Sequence, residues 1–467
     1  MAFSIEQQPS ADVLHSTQQP IIVRLKDTAY ADPKYRYVCE VTINGAVRAV
    51  IKIPPNAANT ATFDLSRVCD DFVDYSVDND TGNLPIHIAG FGGTTASPKW
   101  AIFSQNTSPI RKVSVRVGFS KAASATAAPT ITYDSTINFL AGIFPGEKKD
   151  MFASTETYLR NLEISNWEPD SVTKSALTEA PYVEDLVSGD TNGTRYYLNY
   201  VTLNDYACLC TWYAANSSGD RDLGADIDSF RVRIKKKDSG TPVTSTLNIE
   251  TPLGTAATAV NTDEKMWVNI GVGPKNFTGV LATSTIRTEL LADNVEWYEI
   301  QLMNSTAEKS GRHRYYVVSD DCYNGAPVRL GWVNRAGGWD YYNFTKKRVK
   351  TIDVEKGNFD KDSGNWNADA AFVRSGYEGG RTTHYSDTRE VTEISTDWIN
   401  ERDNVLIESL ISSPIVHRID NDEDLTLALR MQNVQIRETS YVEKTSRNDK
   451  LIRYTFTIES SKKNVVR

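Results

Sequence analysis

The stretch RYVCEVTINGAVRAVIKI, residues 36–53, carries a strong signal for β structure. In its first half every second residue is apolar or aromatic. In a β-strand these four side chains lie on one face: Tyr37, Cys39, Val41 and Ile43. Its second half alternates in the same way, through Val47, Ala49, Ile51 and Ile53. The pair Asn44-Gly45 between two alternating runs is a strong hairpin signal, and Pro54-Pro55 ends the second strand. The stretch therefore predicts an antiparallel β-hairpin.

The same period of two recurs along the chain, for example from Arg111 to Phe119 and from Phe230 to Lys235. The 22 tyrosines and the many Thr and Val residues also favour pleated sheet. One helix is predicted over residues 401–411, with Val405, Leu406, Leu410 and Ile411 on one stripe. We therefore predict a mainly β fold of tandem antiparallel β-sandwich domains with few short helices.

Length and turn signals predict a division into four segments. Residues 1–120 form an N-terminal β-sandwich, and residues 121–180 a linker and irregular connecting segment. Its start, SKAASATAAPT at residues 120–130, has almost no bulky side chain, as expected for a linker. Residues 181–345 form a second β-sandwich, and residues 346–467 a C-terminal α+β domain.

The net charge of −9 argues against general nucleic-acid binding, which requires a basic surface. The five cysteines are odd in number and irregular in spacing, so we expect free buried thiols and folding in a reducing interior. The N-terminus lacks the features of a signal peptide, and no apolar stretch is long enough for a transmembrane helix.

No catalytic motif or cofactor-binding loop is recognisable, and we expect no enzymatic activity and no cofactor. The five histidines are scattered, and no Cys/His cluster has metal-ligand spacing. The acidic run at residues 420–424 lacks the Gly and Glu that an EF-hand loop requires at its sixth and twelfth positions. An acidic β-turn is the better interpretation, so no metal site is predicted.

The run GWVNRAGGWDYYNFTKKRVK, residues 331–350, is the densest aromatic stretch and is typical of strand, tight turn, strand. Aromatic residues at strand spacing usually belong to a core or an interface, although exposed rings also stack on sugars. The candidate residues for an interface or a glycan contact are Trp332, Arg335, Trp339, Tyr341 and Tyr342.

This run lies within a region, roughly residues 310–460, that resembles virion proteins of tailed bacteriophages. The resemblance is to tail or baseplate components of phages that infect Bacteroidetes-type hosts. It rests on these stretches: DDC (320–322), VRLGWVNR (328–335), GWDYYNF (338–344), LIESLISSPIVH (406–417) and KTSRNDKL (444–451).

The resemblance implies a non-enzymatic tail, baseplate or tail-ring protein that contacts copies of itself in a ring and other tail proteins. It also implies assembly in the host cytoplasm and localisation in the virion tail, without membrane insertion or sequence-specific nucleic-acid binding. A host-receptor or glycan-binding tail component and a head or capsid-associated protein are alternatives. A hydrolase acting on surface sugars would need two carboxylates in a cleft.

Overall fold

The structure is a computed structural model, and it describes these residues: 3–9, 14–28, 34–73, 92–94, 97–99, 110–122, 126–142, 178–185, 194–213, 229–239, 241–248, 266–278, 285–290, 292, 294–304, 307–308, 311–318, 327–334, 338–346, 348–362, 371–372, 379–420, 431–438, 440, 442, 452–461 and 464–466. Within these ranges the fold is mainly β, with several antiparallel sheets and few short helices, which confirms the predicted class. The described helices are α1 (Ser66–Asp70), α2 (Thr285–Leu290) and α3 (Asn404–Ser412), with 3-10 turns at Pro274–Thr278 and Glu401–Asp403.

Two sheets share one core near the N-terminus. The first contains three strands in the order β1 (Phe3–Gln7), β3 (Ile22–Asp27) and β6 (Thr60–Asp64). The second contains five, in the order β2 (Leu14–Ser16), β10 (Thr130–Gly142), β9 (Ile110–Lys121), β4 (Arg36–Ile43) and β5 (Ala46–Ile53). Val23 and Phe63 of the first sheet belong to the same buried cluster as Val41 and Val115 of the second. This common core makes the pair a β-sandwich.

The predicted hairpin is β4 and β5, and its turn residues Asn44 and Gly45 have φ angles of 53° and 73°. The predicted face of β4 is fully buried, as expected from its alternation. On β5 the prediction for Val47 is wrong, because Val47 is 55% exposed. Arg48 is an extra residue in the ladder, so the register shifts there and Val47 lies on the other face.

The segment at residues 120–130 does not act as a linker between domains. Strands β9 and β10 flank it as antiparallel partners, from Lys121 opposite Thr130 onwards, so it is a hairpin connection. Strand β10 therefore belongs to the N-terminal sandwich, and it contributes Ile137 and Phe139 to the core. A hairpin loop and a linker share the same small polar composition, which explains the error. The remaining part of the predicted connecting segment, residues 143–177, lies outside the described residues.

A seven-stranded sheet follows. Its path is β11 (Tyr182–Asp185), β12 (Thr194–Val201), β19 (His313–Val317), β17 (Val295–Asn304), β14 (Ser229–Lys236) and β15 (Val243–Asn248), with β18 (Ala307–Glu308) paired to β17. Two further strand pairs are β13 (Cys208–Tyr213) with β16 (Met266–Gly271), and β7 (Gly92–Thr94) with β8 (Ser97–Lys99). Most strand pairs are antiparallel, whereas β2–β10 and β12–β19 are parallel.

The last sheet has eight strands. Its path is β21 (Trp339–Phe344), β20 (Val328–Val333), β24 (Val416–Ile419), β25 (Met431–Ile436), β26 (Thr455–Ser460), β23 (Gly380–Ser395) and β22 (Val349–Lys361), with β27 (Asn464–Val466) paired to β23. Helix α3 packs into the core of this sheet through Leu406, Ile407 and Leu410. Val405, which was predicted to lie on the same stripe, is 42% exposed.

The chain divides into two compact units. The first comprises residues 1–319 and 334–340, and the second comprises residues 320–333 and 341–467. The eight-stranded sheet takes β20 and β21 from residues before the predicted boundary at 345. Apart from the boundaries at residues 120 and 345, the four-segment division of the chain stays a prediction.

Candidate functional site: buried clusters and an open sheet edge

The structure places the predicted aromatic residues mainly in the interior. Trp332 is fully buried, and Trp339 and Tyr342 are nearly so. Tyr341 is half-buried, and Arg335 lies outside the described residues. The predicted strand, turn and strand are β20 and β21, with residues 335–337 of the turn outside the described part.

Trp332 anchors the core of the second unit. Its indole Nε1 donates a hydrogen bond to the Ser409 hydroxyl of α3 at 3.2 Å. Tyr342 belongs to the same core and packs edge-on against Phe344, with ring centroids 5.0 Å apart. Buried rings of this kind fix the packing of a domain. A role of these five residues in contacting a neighbouring subunit or a glycan stays a prediction.

Arg329 was not singled out from the sequence, yet it is 1% exposed within this sheet. Its Nη1 donates to Asn343 Oδ1 at 2.9 Å, and its guanidinium lies 5.0 Å from the Tyr341 ring centroid. Gly331 leaves room for that ring, because a Cβ there would lie 2.9 Å from it. The alternation of apolar residues carries no signal for a buried arginine, so sequence reasoning missed it.

A second buried cluster surrounds Asp340 in the first unit. Its carboxylate accepts hydrogen bonds from the Thr178 hydroxyl, from the backbone N–H of Glu179 at 2.8 Å and from Asn334 Nδ2 at 2.8 Å. Burial raises the pKa of Asp340 to about 6, although these donors act in the opposite direction. The cluster joins residues distant in sequence and closes the turn after β20.

The cysteines in the described ranges are free and buried: Cys39, Cys69, Cys208 and Cys210. Cys322 lies outside them. The Sγ atoms of Cys208 and Cys210 are 3.8 Å apart, and burial raises the pKa of the Cys210 thiol. A protonated buried thiol is a weak nucleophile and a weak metal ligand. Within the described part of the chain, no group of three or more His, Cys, Asp or Glu side chains could hold a metal ion.

The most exposed regular element is the ribbon formed by β22 and β23. Thirteen residues of β22 pair with β23, from Val349 opposite Glu393 to Lys361 opposite Gly380. Among the described strands only β23 pairs with β22, so β22 is an edge of the eight-stranded sheet. Strands of this length are unusual in globular proteins, and an exposed edge of this kind readily pairs with another chain.

The ribbon exposes apolar side chains along its length. Ile352 is 59% exposed, Val354 is 48% exposed and Phe359 is 45% exposed. Gly357 accommodates the ring of Tyr385 on the opposite strand, because a Cβ at this position would clash with it. The ring covers the backbone at Gly357, next to the β-bulge between Gly357 and Asn358.

The two faces of the ribbon differ in charge. Residues directly opposite each other in an antiparallel pair share a face. One face carries three cationic and two acidic side chains, of which Lys350 and Glu390 form an ion pair at 2.6 Å: Lys350, Lys356, Arg381, Asp360 and Glu390. The other face carries four acidic and two cationic side chains, of which Asp387 is buried: Asp353, Glu355, Asp387, Glu393, Arg389 and Lys361. The first face is therefore weakly basic and the second is acidic.

The sequence matches no protein-family model and no curated protein. Among the helices that the structure describes, none is long and apolar enough to span a membrane.

Proposed function

We propose that this chain is a non-enzymatic structural component of a bacteriophage virion, acting as a tail, baseplate or tail-ring subunit. In this role it holds neighbouring copies of itself and other tail proteins in register. The virion context rests on the resemblance of residues 310–460 to such proteins. The assembly function rests on one observation, the exposed thirteen-residue edge strand β22.

The partner that we propose for the ribbon is a second copy of this chain. Its weakly basic face complements the acidic face of the same ribbon in another copy. A front-to-back contact of this kind is heterologous, and a heterologous contact that repeats by a closing rotation produces a ring. The exposed side chains of Ile352 and Val354 would be buried in that contact, with Lys350 and Lys356 beside them.

The experiment is light scattering of the purified full-length chain over a range of concentrations, with negative-stain electron microscopy of the same samples. We expect a defined multimer for the natural chain. The double variant Ile352→Glu and Val354→Glu is expected to dissociate, because it removes apolar contact area and places negative charge against the acidic face of the neighbouring copy. Both side chains are exposed, so the fold of the subunit should be retained.

The matched control is Val47→Glu, which introduces the same charge at a β-branched apolar side chain that is 55% exposed on the edge strand β5. This variant should assemble like the natural chain. A natural chain that stays monomeric at every concentration would contradict the proposal, as would a double variant that assembles unchanged.

A further inference from the structure

The seven-stranded sheet carries a row of aromatic side chains across three neighbouring strands. Trp297 of β17 lies opposite Tyr316 of β19, and Tyr316 lies opposite Tyr200 of β12. Lys235 of β14 extends the row at its other end, opposite Trp297. We call Trp297, Tyr316 and Tyr200 the aromatic row. Because strands lie about 4.8 Å apart, the row spans about 10 Å.

The aromatic row is partly exposed to solvent. Tyr200 is 42% exposed, and Trp297 and Tyr316 are half-buried. The rings of Tyr200 and Tyr316 are 6.2 Å apart between centroids and tilted by 35°. The opposite face of the same sheet carries the core residues Tyr298 and Ile300, both fully buried. The row therefore differs from the buried aromatic residues of β20 and β21.

A buried ion pair between Arg314 of β19 and Glu299 of β17 lies beside the aromatic row, at the next position on the same face of the sheet. Arg314 donates to Glu299 Oε1 from Nε at 2.9 Å and from Nη2 at 2.7 Å. Its guanidinium also lies 4.3 Å from the centroid of the Trp297 ring and 3.7 Å from that of Tyr196. These contacts hold Trp297 in one orientation before a ligand arrives, which reduces the ordering cost of binding.

Basic side chains border the row along β14. Arg231, Arg233 and Lys235 alternate on the same face and are half-buried. The described carboxylate facing them is that of Glu299, whose Oε2 is 3.6 Å from Arg233 Nη1. Glu299 is also bonded to Arg314, so among the described side chains on this face of β14, β17 and β19, four cations accompany one carboxylate.

From this juxtaposition we propose that the aromatic row and the cations of β14 form a binding site for an acidic saccharide. The rings stack on the apolar faces of the sugars, and the cations bind the carboxylates through charge-assisted hydrogen bonds. Single-stranded nucleic acid also uses aromatic rings and cations, but its dense phosphates require a broad basic surface. This inference is independent of the assembly proposal.

The test is affinity electrophoresis of the full-length chain in native gels containing polygalacturonate or neutral dextran. We expect polygalacturonate to retard the chain more than dextran does. Tyr200→Ala and Trp297→Ala should each weaken binding to polygalacturonate about tenfold, which corresponds to about 1.4 kcal/mol for the loss of one stacking contact. Tyr200 is the more exposed of the two, so its variant tests the site even if Trp297→Ala fails to fold.

The matched control is Trp398→Ala, which removes an aromatic side chain that is 56% exposed in the other unit. It should leave the retardation unchanged. Fluorescence anisotropy with a labelled oligothymidylate provides the second arm of the test. The proposal is overturned if polygalacturonate does not retard the chain, if all variants are retarded equally, or if the oligonucleotide binds more tightly than polygalacturonate.

Discussion

At the scale of single residues, burial shifts the protonation of two side chains of the first unit in opposite directions. Burial raises the pKa of Asp340 to about 6, so the side chain is protonated below that pH. The contribution of the protonated form to the free energy of unfolding is lost as the pH rises through about 6. His313 is buried and neutral, with its pKa lowered to about 3. Its contribution is therefore present above its unfolded value of 6.5 and is lost as the pH falls.

The first prediction concerns His313, whose ring stacks on Tyr197 and whose Nε2 has no hydrogen-bond partner. The variant His313→Phe keeps the stacking and removes the titrating group. Between pH 7 and pH 5 the natural chain should lose about 2 kcal/mol more unfolding free energy than the variant, at about 1.4 kcal/mol for each pH unit below 6.5. Urea denaturation of both proteins at the two pH values measures this difference. Parallel losses would contradict it.

At the scale of elements, helix α3 shows how packing selects one stripe of a helix. Leu406, Ile407 and Leu410 are buried in the core of the eight-stranded sheet, whereas Val405 points to solvent. The residues preceding the helix form a capping box, in which Asn400 and Asp403 exchange hydrogen bonds between side chain and backbone. Ser413 has an extended backbone before Pro414 and ends the helix.

The second prediction is therefore a contrast between two positions of α3. Leu410→Ala should reduce the free energy of unfolding by about 2–5 kcal/mol, because it opens a cavity in a fully buried position. Val405→Ala should change it by less than about 0.5 kcal/mol, since Val405 lies at the surface. Chemical denaturation of the two variants provides the comparison, and equal losses would show that the assignment of the stripe is incorrect.

At the scale of the whole molecule, the second unit is built from two separate stretches of chain. Its sheet includes β20, which precedes residues 334–340 of the first unit, and Trp332 of β20 belongs to its core. Strand β24 pairs with β20 from Val416 opposite Trp332 to Ile419 opposite Arg329. Residues before 345 are therefore integral to the C-terminal sheet.

The third prediction follows from this arrangement. A fragment of residues 320–467 should unfold cooperatively on heating, because it contains every strand of the eight-stranded sheet. A fragment of residues 346–467 lacks β20 and β21 and exposes the apolar core of the sheet, so it should aggregate or unfold without a cooperative transition. Circular dichroism during heating distinguishes the two. Similar cooperative transitions for both fragments would contradict the prediction.

Local patterns predicted the class of fold and many of its strands. The alternation at residues 36–53, with Asn44-Gly45 at its centre, gives the hairpin β4–β5 because side-chain period and turn conformation are properties of neighbouring residues. Alternation also placed Ile452, Tyr454, Phe456 and Ile458 on one face, and all four are buried. The candidate aromatic residues were identified as a cluster, but the sequence left open whether they pointed inward.

Local sequence patterns therefore sufficed to predict a mainly β chain with a hairpin at residues 36–53 and a helix at residues 401–411. The pairing of the strands depends on long-range packing and is visible only in the folded chain. This pairing shows that the segment at residues 120–130 connects paired strands, that β22 forms an open edge, and that Tyr200, Trp297 and Tyr316 form a row. Strand partners are set by contacts between residues far apart in the chain, and no local period records them.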